Sequence, residues 1–180
     1  FIRGIDEGVD NGLSSVKLSL RGEPLLHADI SKMVAYAKKK GIVDIYFNNN
    51  ANILDEYKIN QLIESGLDRI SISFEGTDKG TYERYRVGAE YEGVIQNIKK
   101  LRHTRDMRNL NYPQIRIQTL LFPELEEGLS GYVAFWQDIA DEVSYLDARY
   151  EKPGDVRRGF IADWACPFLW QRMAVLWEGT

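Results

Sequence analysis

Ile45-Tyr46-Phe47-Asn48-Asn49-Asn50, a helical run from Asp55 to Gly66, then Ile70-Ser71-Ile72-Ser73-Phe74-Glu75-Gly76: this stretch reads as one strand–helix–strand unit. Ile45-Tyr46-Phe47 is a short strand. Asp55 is placed to cap a helix that turns Ile59, Leu62 and Ile63 inward, with Leu54 and Ile59 as its hydrophobic staple and Gly66 as its stop. Ile70, Ile72 and Phe74 then alternate as a second strand. A helix of this length between two strands implies a right-handed crossover and parallel pairing.

The same alternation extends in both directions. Upstream, apolar residues at Phe1, Ile2, Ile5, Val9 and Leu13 have helical spacing, and Val16 to Leu20 alternates like a strand. Asp29 opens a helix with Ile30, Met33, Val34 and Ala37 on one face, and Gly41 ends it. Downstream, Tyr91 to Arg102 is helical through Val94, Ile95, Ile98 and Leu101. Ile115 to Phe122 is a strand, Leu129 to Ile139 a helix with Tyr132, Phe135, Trp136 and Ile139, and Val143 to Tyr150 a fifth strand. Gly76–Tyr91 reads as a loop. Arg102–Pro113, with Arg102, His103, Arg105 and Arg108, reads as a solvated linker rather than an anion site. Two α/β architectures fit: an open doubly wound sheet, or a partial (β/α) barrel with parallel strands. Both place function at the carboxyl ends of the strands.

Composition narrows the class. At 180 residues, 44% hydrophobic and 28% charged, the chain can bury one sizeable core. Lys+Arg is 23 and Asp+Glu is 27, a net charge of −4, which argues against a nucleic-acid protein held by bulk positive charge. No apolar run approaches the ~20 residues needed to span a bilayer, so no membrane partner is expected. One cysteine excludes an internal disulfide and fits a reducing cytoplasm. With only two histidines besides, there is no internal zinc site.

The strand ends carry polar clusters. The first runs into Arg21-Gly22-Glu23-Pro24, the second into Asn48-Asn49-Asn50, and the third into Ser73-Phe74-Glu75-Gly76. The fourth carries Gln118-Thr119, and the fifth ends near Glu151 and Lys152. Gly22 lets backbone approach a ligand closely, and Pro24 stiffens the strand exit. Glu23 between them suits a cationic group such as an amine. Asn50 offers donors and acceptors, although Asn48 to Asn50 also reads as plain turn chemistry. Ser73 and Glu75, two apart on a strand, share a face and suit sugar hydroxyls. Arg86 or Arg84 could take a carboxylate bidentately. Together these groups suit a ligand with an amino acid at one end and a ribose at the other. Two other readings stay open. Glu23 and Glu75 could serve as acid and base in a cluster-free βα-barrel hydrolase or lyase. The same groups could also hold a polar ligand or a partner protein without chemistry.

Gly22-Glu23-Pro24-Leu25-Leu26 resembles the GGEP-type motif of radical S-adenosylmethionine (SAM) enzymes, and Asn49-Asn50-Ala51 resembles their TN(G/A) strand end. Ser73-Phe74-Glu75-Gly76 followed by Tyr85-Arg86 resembles the S-(I/F)-(D/E)-G…Y-R stretch of the same family, and Tyr91 to Ile98 is similar to the helix after it. The order and spacing match over about residues 1–150. Trp164-Ala165-Cys166-Pro167 through Trp177-Glu178-Gly179-Thr180 resembles the entry to a SPASM-type extension. The resemblance implies a partial radical SAM barrel core over 1–152, and a linker with the start of a SPASM-like domain over 153–180.

It implies roles as well. Gly22, Glu23 and Pro24 would meet the amino group of SAM, Ser73 and Glu75 its ribose, and Arg86 its carboxylate, with Asn50 lining the same cleft. The cofactors implied are SAM and a [4Fe–4S] cluster, with Cys166 as a ligand of an auxiliary [4Fe–4S] cluster or, alternatively, a buried small hydrophobe. The activity implied is an oxidoreductase that cleaves SAM to a 5′-deoxyadenosyl radical and abstracts hydrogen from a peptide or small polar substrate. It would draw electrons from a reductant such as flavodoxin or ferredoxin. Two departures stand out. Arg21 occupies the place of the family's first glycine, and the CxxxCxxC motif that binds the cluster is absent.

The ends prompt a last expectation. The chain begins at Phe1, and the apolar run Met173 to Trp177 reads as a strand turning at Gly179 toward a partner. The chain therefore reads as the central piece of a longer protein, one whose CxxxCxxC segment precedes Phe1 and which is inactive as the piece alone.

Overall fold

The computed structural model describes residues 1–121, 123–147 and 172–175. The chain divides into one unit over Phe1–Asp147 and another over Ala148–Thr180. The first contains α1 (Ile2–Asp10), β1 (Ser15–Lys17), a 3-10 turn at Pro24–Leu26, α2 (Ile30–Lys39), β2 (Asp44–Asn49), α3 (Glu56–Ser65), β3 (Arg69–Ser73), α4 (Lys79–Tyr85), α5 (Tyr91–Met107), β4 (Gln114–Leu121), α6 (Pro123–Glu126), α7 (Leu129–Trp136) and β5 (Glu142–Asp147).

All five strands are parallel and stand in sequence order, β1-β2-β3-β4-β5. A doubly wound sheet reverses its strand order at a switch point, and this sheet never does. The order is that of a partial (β/α) barrel, which settles the choice between the two architectures.

Register divides the sheet into two chemically different faces. Ile45, Phe47, Ile70, Ile72, Ile115 and Ile117 occupy one face. They are fully buried in one core with Val34, Ala37, Ile59, Leu62, Ile98 and Leu101 from the helices. At ~25 cal/mol per Å² of apolar area, this helix-side layer is the main stabilising term of the fold. The opposite face is polar. Tyr46 pairs with Arg69 across β2 and β3, Asn48 with Ser71, Ser71 with Arg116, Ser73 with Gln118, Arg116 with Glu142, and Gln118 with Ser144. Complete βα barrels normally fill this position with branched apolar residues.

Several expectations hold closely. Asp55 caps α3 by accepting from the Lys58 amide at 2.8 Å, and Gly66 ends it in the left-handed conformation. Leu54 and Ile59 are both fully buried at its start. Elsewhere the structure corrects the reading. The first strand stops at Lys17, not Leu20: Leu18 still donates to the Tyr46 carbonyl, but the Asn48 amide then donates to the Ser19 hydroxyl at 2.9 Å, so a side chain replaces the ladder. Asp29 stands at the N-cap of α2 without a side-chain cap bond, because its carboxylate binds Lys32 instead.

The Gly76–Tyr91 loop contains α4, capped by Asp78 through the Thr81 amide at 3.0 Å. The first half of the Arg102–Pro113 linker is helix rather than loop, while residues 108–112 are exposed and non-helical as expected. α5 runs on to Met107, and Arg105 is 3% exposed, hydrogen-bonded to Asp141, Asp106 and the Pro113 carbonyl. Arg102 also pairs with Asp106 and Asp141. Residues 172–175, inside the expected strand from Met173, adopt neither strand nor helix. A strand exists only as a paired ladder, and no sheet pairing is made there among the described residues.

Candidate functional site

The carboxyl edges of β1, β2 and β3 bring the sequence-predicted residues to one side of the sheet. Asn49 is in register with Ile72, so Asn50 emerges level with Ser73. The segment after β1 folds back over β2 through Glu23. This residue is extended and caps the Pro24–Leu26 turn. Its Oε1 accepts from the Leu25 amide at 3.0 Å and from the Asn49 side-chain amide, and its Oε2 accepts from the Asn50 amide at 3.0 Å. Three N–H donors thus hold the carboxylate and stitch two strand ends together.

Asn49 is the hub of this stitch. It is 3% exposed, and its Oδ1 accepts from the Ala51 amide at 2.6 Å. Ala51 is fully buried at φ 57°, and its carbonyl accepts from the Asn97 side chain at 2.9 Å. A non-glycine residue in the left-handed region persists only where its surroundings hold it. Here the Asn49 and Asn97 side chains supply that hold. Gly22 has φ 80°, and a Cβ built there meets nothing within 4 Å, so it is exposed backbone on the open side of the turn. Pro24 is buried, while Asn50 and Ser73 are half-buried.

β3 leads to the second half of the site. Gly76, at φ 90°, admits the first turn of α4. That helix places Tyr82 flat on Phe74, with ring centroids 4.1 Å apart. Trp136 meets the same Phe74 edge-on at 4.8 Å, and Tyr91 tilts on it at 5.6 Å. Tyr132 donates from its hydroxyl to the Phe74 carbonyl at 2.7 Å. Burial pushes the Tyr82 phenol up to about 12 and raises that of Tyr132 as well.

The end of α4 returns Arg86 to the strand it left. Arg86 binds Glu75 bidentately, Nη2 to Oε1 at 2.6 Å and Nε to Oε2. The Glu75 side chain is 5% exposed and that of Arg86 31%. Hydrogen bonding to Glu75 raises the Arg86 pKa further above its ordinary range, so the guanidinium is cationic at any working pH.

The arrangement bears on the alternatives left open by the sequence. Both oxygens of Glu23 and both of Glu75 are committed to donors within the protein. That disfavours a hydrolase in which these two carboxylates act as a free acid–base pair. A hollow of about 620 Å³ lined by Arg102, Arg105, Gln114 and Asp141 opens at the opposite, amino end of β4 and β5, where those charges pair with one another. Cys166, Glu151 and Lys152 lie outside the described residues. Among the described residues no group of His, Cys, Asp and Glu is arranged to hold a metal ion. The family's cluster needs three thiolates and this sequence has one cysteine, so the chain's own residues do not fit that cluster.

Two features escaped the sequence reading. The role of Asn49 carried a signal that was not used: it continues the parity of Ile45 and Phe47, which puts an amide on the buried face. Tyr82 carried none, since a single inward aromatic in a seven-residue helix gives no periodicity.

The chain is 31% identical over 96 residues to a "Probable GTP 3′,8-cyclase" of Methanococcus maripaludis, covering 53% of this chain and 32% of that protein. It is 30% identical over 82 residues to the "AdoMet-dependent heme synthase" of Nitratidesulfovibrio vulgaris, covering 45% of this chain and 22% of that protein. The chain thus spans about a third or less of the length of these curated relatives. In fold it is similar to Streptococcus suis SuiB crystallised with S-adenosylmethionine, at TM-score 0.67 and 20% identity, covering 85% of this chain and 34% of that one. Residues 1–112 match the Radical SAM superfamily, and the chain belongs to that family.

Proposed function

We propose that this chain forms the SAM cradle of a radical SAM enzyme. The observation that carries the reading is the placement of Gly22-Glu23-Pro24, Asn50 and Ser73 beyond or at the carboxyl ends of three consecutive parallel strands, with Arg86 brought from the end of α4 to the third by its pair with Glu75. The donor set fits the group. With the Glu23 carboxylate already committed, exposed backbone carbonyls beside Gly22 are left to accept from the amino group of SAM. The Ser73 hydroxyl serves the ribose, Asn50 lines the cleft, and Arg86 takes the carboxylate. Held there by Gly22, Asn50, Ser73 and Arg86, SAM would supply a 5′-deoxyadenosyl radical for hydrogen abstraction, with methionine as the other product, on receiving one electron from a [4Fe–4S] cluster whose thiolate ligands this sequence does not contain. A peptide or a small polar molecule suits the polar sheet face, which offers Asn48, Ser71, Arg116, Gln118 and Ser144. In keeping with this reading, one relative is named for GTP chemistry, and one structural neighbour was crystallised with a precursor peptide.

The reading extends to the finer assignments. Residues 1–152 would form the partial barrel core. Residues 153–180 would begin a SPASM-like extension in which Cys166 ligates an auxiliary cluster. The enzyme would work in the cytoplasm with a flavodoxin- or ferredoxin-type reductant. Among the described residues no helix is long and apolar enough to cross a membrane.

Titrating the 180-residue chain with SAM tests the central claim. Saturable binding is expected, competed by S-adenosylhomocysteine and not by ATP, and weakened in Arg86→Gln. Absence of saturable binding at millimolar SAM removes the reading.

A further inference from the structure

The resemblance pairs Glu75 with Ser73 as a ribose contact, but the geometry points to a different role. We propose that Glu75 is the positioning residue of Arg86: it holds the guanidinium so that its free edge meets the carboxylate of an amino-acid-bearing nucleoside. This rests on the SAM reading above and deepens it.

Three observations carry the assignment. Each oxygen of Glu75 already accepts from Arg86, one from Nη2 at 2.6 Å and the other from Nε. The Glu75 side chain is 5% exposed, so little of it is open to a ribose hydroxyl, whereas Arg86 is 31% exposed and is the part of the pair that faces outward. A guanidinium has five N–H donors in a fixed plane, and two on one carboxylate leave three for a second.

The surroundings fix the pair rather than let it swing. Glu75 lies between Phe74 and Gly76, and Phe74 is clamped by the Tyr82 ring and by the Tyr132 hydroxyl on its carbonyl. Arg86 follows directly on α4, its amide donating to the Tyr82 carbonyl at 2.8 Å. Tyr82 therefore contacts the chain at both ends of the ion pair, through its ring on Phe74 and its backbone carbonyl on Arg86. Such preorganisation lowers the ordering cost of binding a carboxylate, because the long Arg86 side chain is immobilised before the ligand arrives. It also tempers the site, since the ion pair is net neutral and does not attract anions indiscriminately.

Carboxylate and ribose contacts are separable with four probes: SAM, decarboxylated SAM, adenosine and 2′-deoxyadenosine. The unmodified chain should bind SAM about tenfold or more tightly than decarboxylated SAM, the increment of one charge-assisted hydrogen bond. In Glu75→Gln that preference should fall toward one while adenosine affinity changes by no more than about twofold, the range of ordinary context effects. If instead Glu75→Gln weakens adenosine and erases the preference for adenosine over 2′-deoxyadenosine, Glu75 is a ribose ligand and the assignment is wrong.

A measurement on the unmodified chain covers the case in which the variant does not fold. With ¹⁵N-arginine labelling, the Arg86 Nε–H signal should shift with SAM and stay in place with adenosine. A shift of equal size with adenosine overturns the assignment. If SAM itself fails to bind the unmodified chain, the underlying SAM reading fails first, a result distinct from SAM binding without the Glu75 dependence.

Discussion

A Cβ on Gly76 would lie 2.7 Å from Thr81 Cγ2 and 2.9 Å from Thr81 Cβ, so the first turn of α4 sits closer to Gly76 than any side chain would permit. That approach lets Tyr82 reach Phe74 and Arg86 reach Glu75. Gly76→Ala adds this clash to the strain of φ 90°. The variant is expected to lose about 2 kcal/mol or more in urea unfolding. A loss under 0.5 kcal/mol would mean that α4 can move aside at little cost, and that the Glu75–Arg86 pair is held by something else.

Tyr82 has the reverse character. Its hydroxyl is buried with no hydrogen-bond partner among the described residues, and burial, helped by the Glu75 and Glu83 charges and opposed by Arg86, pushes its pKa up to about 12. The ring contributes the stacking on Phe74, and the hydroxyl adds only a desolvation cost. Tyr82→Phe should therefore be neutral or stabilising by up to about 1 kcal/mol, read as a raised melting temperature. A clear drop would reveal a water or ligand group bonded to that hydroxyl.

Arg105 holds the far end of the sheet. It is 3% exposed and bridges the Pro113 carbonyl to Asp141, whose Oδ2 also accepts from the Ile115 amide at 2.7 Å. Arg105→Ala removes the donor of the Pro113 carbonyl and one of the two arginines on Asp141, which keeps Arg102 and the Ile115 amide, and should cost about 1–3 kcal/mol. Arg105→Ala combined with Asp141→Ala should cost less than the sum of the two single changes, because the bonds between them are lost in either single variant and are counted only once in the double. Strict additivity would show that the pair does not act as a unit.

Asp44 makes stability depend on pH. Its burial opposes ionisation, but hydrogen bonds from Arg69 and Ser15 outweigh it and hold the carboxyl below its ordinary value of 3.8. The folded value is thus lower than the unfolded one. The stabilisation is complete above the unfolded value and disappears as pH falls through the folded one. Asp44→Asn should cost about 1 kcal/mol or less at pH 7, since the pair is a third exposed. That deficit should shrink on acidification below pH ~4. A deficit that stays constant down to pH 2 would assign it to packing or geometry instead of charge.

The strand–helix alternation was legible because burial on one face imposes periodicity. Ile59, Leu62 and Ile63 on α3 and Ile70 and Ile72 on β3 are read from spacing alone and are buried as that spacing requires. The strand-end placement of Gly22, Glu23, Ser73 and Glu75 was legible for a different reason, since glycine, proline and short polar residues mark where strands give way to turns. What escaped depends on tertiary contact. α4 has one buried residue, Tyr82, so no period exists to detect. The extra turns of α5 carry Arg105, a cation that is buried only because Asp141 arrives from 36 residues away. The commitment of Glu23 to Asn49 and of Glu75 to Arg86 was equally out of reach, because no spacing rule says which donor a carboxylate meets across 26 or 11 residues.

The polar side of the sheet has a consequence for divergence. Cohesion resides in the isoleucine layer on the helix side, so Asn48, Ser71, Gln118 and Ser144 bear little of the load. Replacing them should cost stability far less than replacing Ile70 or Ile117. A scaffold partitioned in this way can keep its isoleucine layer unchanged while selection rewrites the polar face.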